Sequence, residues 1–112
     1  MTIRAQVLAM AGEAKKAAAV LAVVSTEEKN RALREMGASL RKNAAFLREE
    51  NARDVAVARE KGLTAAMIDR LTLKEGTIEA MAAGCEEVAA LGDPVGRVTS
   101  MWRRPNGLLV GR

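Results

Sequence analysis

The pattern of this chain changes once along its length, and that change limits what it can build. Up to Leu91, apolar residues recur at spacings of three and four, the period of helices that bury one face. After Gly92-Asp93-Pro94, which stops a helix, the chain turns to β-branched and aromatic residues in "VGRVTSMWR". A turn signal, "RPNG", and a second strand-like run, "LLVGR", follow. The expected fold class is mainly α, with four or five helices followed by a C-terminal β-hairpin.

Helix boundaries follow from the capping residues. The first helix is expected from Ile3 to Val24, with its stripe at Val7, Leu8, Ala11, Ala14, Ala18 and Leu21. Arg4, Lys15 and Lys16 with "AAAVLAVVS" imitate a secretory signal, but Glu13 among the charges and the stripe favour a helix. "STEE" at Ser25 is a capping box, and Leu33, Met36, Leu40, Ala44 and Leu47 form the stripe of the helix it opens. Asn43 and Asn51 interrupt this stretch. Asparagine competes for backbone hydrogen bonds, so a bend or break is expected near one of them. The pattern resumes through Val55 and Ala58, and Gly62 ends it. Thr64 caps "AAMIDRL", and "TLKE" at Thr72–Glu75 is a second capping box, expected to open a last helix to about Leu91. Pro105 followed by Asn106-Gly107 predicts a tight reversal between the strands.

Composition narrows the function classes. Of 112 residues, 49% are hydrophobic, but many of these are alanine and aromatics make up only 2%, so a core built from this chain alone is thin. The net charge is +4, yet the cations alternate with acids in "EEKNRALREMG" and "LREENARDVAVAREKG", the pattern of a solvated, ion-paired face. With one Phe, one Trp and no Tyr, base-stacking platforms are lacking, and no nucleic-acid partner is expected. No apolar run approaches the ~20 residues that span a bilayer, so no membrane partner is expected either. A single cysteine excludes an internal disulfide and points to the cytoplasm.

That cysteine, Cys85, is the first suspect for chemistry. A reactive thiol wants cationic neighbours or a helix N-terminus, and usually a base. Cys85 has Glu86 and Glu87 beside it and no histidine anywhere in the chain. It shares a face with Ile78, Met81, Ala82, Val88 and Ala89, so the expectation is a small buried core residue. Without histidine no zinc set exists, and Glu49, Glu50 and Asp54 lie among arginines as surface ion pairs. Neither G-x-G-x-x-G nor a Walker loop occurs. No catalytic, cofactor-binding or metal residue is therefore assigned. The hairpin ending in "GLLVGR" presents an edge that wants a partner sheet.

Three stretches carry a resemblance: "LREENARDVAVAREKGLTAAMIDRLTL", "IEAMAAGCEEVAALGDPVG" and "WRRPNGLLVGR". Within them the most specific pieces are Asp69-Arg70-Leu71-Thr72-Leu73, Asp93-Pro94-Val95-Gly96, and Trp102 with Arg104-Pro105-Asn106-Gly107-Leu108. Asn51, Asp54-Val55 and Lys61-Gly62-Leu63 add support. In this order they resemble the start of the gamma-glutamyl phosphate reductase family (glutamate-5-semialdehyde dehydrogenase), within the aldehyde dehydrogenase superfamily.

The resemblance implies an N-terminal fragment of an α/β aldehyde-dehydrogenase-like fold. Residues 1–92 would be the helical segment and residues 93–112 an incomplete hairpin arm, with the cofactor and catalytic domains absent. For the whole enzyme it implies reduction of L-glutamyl 5-phosphate to L-glutamate 5-semialdehyde by NADPH in proline biosynthesis. A cysteine thiolate would displace phosphate, and a hydride would release the semialdehyde. Cys85 does not match that cysteine, which the resemblance puts far beyond residue 112. The fragment alone is expected to be inactive and to bind no NADPH. In the full protein the arm is expected to make homo-oligomer contacts. Trp102 is expected to pack on a sheet or a subunit partner. Arg70, Arg103 and Arg104 could approach a phosphate in the assembled enzyme, but the favoured expectation is that Arg103 and Arg104 solvate a turn and Arg70 pairs with a carboxylate. The competing reading is a free-standing helical interaction module using its hairpin edge and basic face.

Overall fold

A computed structural model describes residues 1–112 as five helices and one β-ribbon. The helices are α1 (Ile3–Leu21), α2 (Thr26–Lys42), α3 (Ala44–Glu60), α4 (Ala65–Leu71) and α5 (Thr77–Ala90), and the strands are β1 (Met101–Arg103) and β2 (Leu109–Gly111). Contacts divide the chain into one unit of Ser25–Leu91 and another of Met1–Val24 with Gly92–Arg112.

The unit Ser25–Leu91 holds the core. Its helices start where capping chemistry places them. The Ser25 hydroxyl accepts from the Glu28 N–H at 3.2 Å, and the Thr64 hydroxyl accepts from the Met67 N–H at 3.3 Å. Of the two asparagines, Asn43 is the break. Its backbone leaves the helix at φ −100, ψ 14, while its amide donates to the Ser39 carbonyl at 2.8 Å. At the end of α3, the Leu63 N–H reaches the Ala58 carbonyl and the Gly62 N–H reaches the Arg59 carbonyl. This is the double closure of a Schellman motif, with Gly62 at φ 72.

Asn51 stays helical because its side chain bonds another segment instead of its own backbone. The amide donates to the Leu71 carbonyl at 2.9 Å, and its oxygen accepts from the Leu73 N–H at 2.8 Å. One side chain thus satisfies both polar groups of the chain leaving α4, as a neighbouring strand would. Replacing Asn51 by Ala should cost about 1–3 kcal/mol, the scale for stranding partly buried polar groups. In urea the midpoint should fall with an unchanged slope, and an unshifted midpoint would contradict this role.

The same contact explains a departure from expectation at "TLKE". Thr72 does not cap a helix. Its hydroxyl donates backward to the Ile68 carbonyl at 2.7 Å, and Thr72 itself closes α4. The last helix starts five residues later, at Thr77. Gly76 precedes it at φ 83, with no side-chain cap. A capping box loses when its hydroxyl is already committed to the preceding turn.

The core is small. Val55, Ala58, Ile78 and Ala82 are its buried apolar residues, with Ile78 2% and Ala82 0% exposed. Its main joint is the α2–α5 contact, the most extensive between helices. Gly37 makes that joint close. A Cβ built there would lie 3.1 Å from the Ala82 carbonyl oxygen and 3.7 Å from the Cys85 Cβ, so a hydrogen at this position lets the two backbones approach.

In the other unit, α1 is capped by Thr2, whose hydroxyl accepts from the Ala5 N–H at 3.2 Å. It ends at Leu21, three residues short of the expected Val24, because Ser25 takes the extended backbone of an N-cap and the chain must unwind before it. No residue of α1 is buried, so its apolar stripe stands open. The ribbon pairs Met101 with Gly111, Trp102 with Val110 and Arg103 with Leu109. The Gly107 N–H bonds the Arg104 carbonyl at 2.9 Å, and the Arg104 N–H bonds the Leu108 carbonyl at 2.8 Å. Gly107 at φ 87 supplies the left-handed residue that a three-residue hairpin loop needs. The regular strands are shorter than the expected runs. At their open end the Thr99 and Ser100 N–H groups share the single Arg112 carbonyl, which disrupts the ladder.

Candidate functional site

An apolar groove of about 630 Å³ lies between α2 and α5. Met36 and Leu40 form one wall, and Met81, Gly84, Cys85 and Val88 the other. Met81 is 48% and Val88 52% exposed. This corrects the expected single core stripe on α5. Ile78 and Ala82 point into the α2 joint and are buried, whereas Met81, Cys85 and Val88 turn to the groove. A helix stripe wider than the partner it meets leaves its flank open. Cys85 is accordingly a half-buried free thiol in an apolar wall, not a core residue.

Beyond the groove the two helices are joined by charge. Arg41, in the last turn of α2, reaches Glu79 and Glu86 on α5. These acids are two helical turns apart and so share a face. The guanidinium donates from Nε to both Glu79 oxygens, at 3.1 and 3.0 Å, and from Nη2 to Glu79 Oε1 at 2.8 Å. It also donates from Nη1 to Glu86 Oε1 and from Nη2 to Glu86 Oε2 at 3.3 Å. Exposed ion pairs contribute little energy, but a forked guanidinium fixes geometry. Here it ties the last turn of α2 to two successive acids on one face of α5.

These hydrogen bonds from Arg41 hold both carboxyls below the ordinary glutamate value of 4.5 and raise the guanidinium above its own. A carboxyl whose folded value is lowered stabilises the fold above its unfolded value and loses that contribution as pH falls through the folded one. Stability should therefore fall as pH drops below about 4.5, and Glu79→Gln with Glu86→Gln should lower stability modestly at neutral pH and flatten that acid limb, the two profiles converging at low pH. An identical acid limb in the double variant would show that the latch carries no stability.

The other singled-out residues are dispersed. Arg70 lies exposed beside Leu63, Met67 and Leu71 in a second, shallower groove. It has no carboxylate partner, because its neighbour Asp69 pairs with Lys74 at 2.9 Å. Arg103 donates to the Gly107 carbonyl at 3.1 Å and so braces the turn that Arg104 begins. Trp102 is 41% exposed on the ribbon. Glu49 and Glu50 both pair with Arg53. No group of three acids, cysteines or histidines is placed to hold a metal, and no helix is long and apolar enough to cross a membrane.

Five helices, an open apolar joint and a trailing ribbon match the N-terminal part of an oxidoreductase fold. The matched protein is gamma-glutamyl phosphate reductase. The reductase of Desulfatibacillum aliphaticivorans is 48% identical over 112 residues, covering 100% of this chain and 27% of that protein. The reductase of Nitrobacter winogradskyi is 50% identical over 103 residues, covering 92% of this chain and 24% of that protein. The crystal structure of the Thermotoga maritima reductase superposes with a TM-score of 0.82 at 36% identity, over 93% of this chain and 25% of its own. The Saccharomyces cerevisiae reductase gives 0.82 at 35% identity, over 90% and 26%. No family model matches the chain. The chain thus spans about a quarter of the length of the relatives it matches.

Proposed function

We propose that this chain supplies the N-terminal helical segment, residues 1–92, and the β-arm, residues 93–112, of an NADPH-dependent reductase. That reductase converts L-glutamyl 5-phosphate to L-glutamate 5-semialdehyde in proline biosynthesis, in the cytoplasm. The observation that carries this reading is the 48% identity running through the whole chain but over only 27% of the relative. In this account Met36, Leu40, Met81, Cys85 and Val88 are the seat on which the remaining polypeptide packs. Trp102 packs the arm on a sheet or a subunit partner, so that the arm joins copies of the enzyme.

The α2–α5 groove does not fit a nicotinamide dinucleotide. The side chains along the α2–α5 groove are carbon and sulfur, with no convergent donors for a pyrophosphate. In this reading the nucleophile is not Cys85, since the chain has no histidine to activate it and its setting is apolar. No catalytic step is therefore assigned to these 112 residues, and we infer that alone they are inactive. The purified chain, given L-glutamate 5-semialdehyde, phosphate and NADP+, should produce no NADPH above background. Turnover by the chain would overturn the assignment, and turnover lost on Cys85→Ala would make Cys85 the nucleophile.

A further inference from the structure

No further inference is drawn: the strongest candidate, the apolar groove between α2 and α5 walled by Met36, Leu40, Met81, Gly84, Cys85 and Val88, is the packing face already given to the proposed function, and nothing in the structure shows any other occupant.

Discussion

Replacing Ile78 by Ala should lower the stability of the Ser25–Leu91 unit by about 2–5 kcal/mol, the range for emptying a buried large aliphatic site. Ile78 is 2% exposed, and the other buried apolar residues are Val55, Ala58 and Ala82. Two of these four are alanines, so little neighbouring bulk exists to collapse into the void. Folded domains hold only about 0.05–0.15 kcal/mol per residue in total. A loss of this size would therefore consume most of the stability of so small a unit. Gly37→Leu should act in the same direction by wedging the Ala82 carbonyl, at the roughly 1–3 kcal/mol scale of overpacking. Val23→Ala, at an 86% exposed position, is the control and should be close to neutral. Urea unfolding monitored by circular dichroism checks the series. An Ile78→Ala midpoint matching that of Val23→Ala would show that the α2–α5 joint is not the core.

The second large effect concerns the groove. Met81→Lys with Val88→Lys should barely change the stability of the chain alone, since both side chains are about half exposed there. Placed in a complete reductase, the same pair should cost about a hundredfold or more in activity. Burying two unpaired ammonium groups against an apolar partner costs several kcal/mol each, and each 1.4 kcal/mol is a factor of ten. The comparison separates a packing face from a solvent face. Equal, small effects in both settings would mean that nothing seats on the groove.

Local signals in the sequence were enough to place most elements. Ser25, Thr64, Gly62 and Pro105-Asn106-Gly107 act through their nearest neighbours, so their roles could be read without knowing the fold. Thr72 misled because its hydroxyl has two partners within reach, and a backward bond to Ile68 won. Asn51 was legible as a residue out of place in a helix. Its partners at Leu71 and Leu73 lie too far along the chain for local rules to find.

The groove followed the same logic. Periodicity gave the α5 stripe from Ile78 to Ala89, but it could not say how much of that stripe α2 would cover. Gly37 lets the joint close, and Arg41 ties the two helices by charge. Sequence reasoning passed over both. A signal for Arg41 was present: α5 carries Glu79, Glu86 and Glu87 and no Lys or Arg of its own, so any cation that pairs with them comes from another element, as Arg41 does for Glu79 and Glu86. For Gly37 the signal was weaker, a glycine in the middle of an otherwise strong helix former.

The central claim is that these residues are a structural segment of a gamma-glutamyl phosphate reductase and need the rest of that enzyme to act. The most direct measurement joins residues 1–112 to the polypeptide that follows the matching segment in the Desulfatibacillum aliphaticivorans reductase. Phosphate-dependent formation of NADPH from L-glutamate 5-semialdehyde and NADP+ is then followed for the chimaera. The account predicts turnover within about tenfold of the natural relative, a barrier difference of about 1.4 kcal/mol, and none from residues 1–112 alone. A chimaera that folds and assembles yet stays inactive, or turnover by the 112 residues on their own, would contradict it.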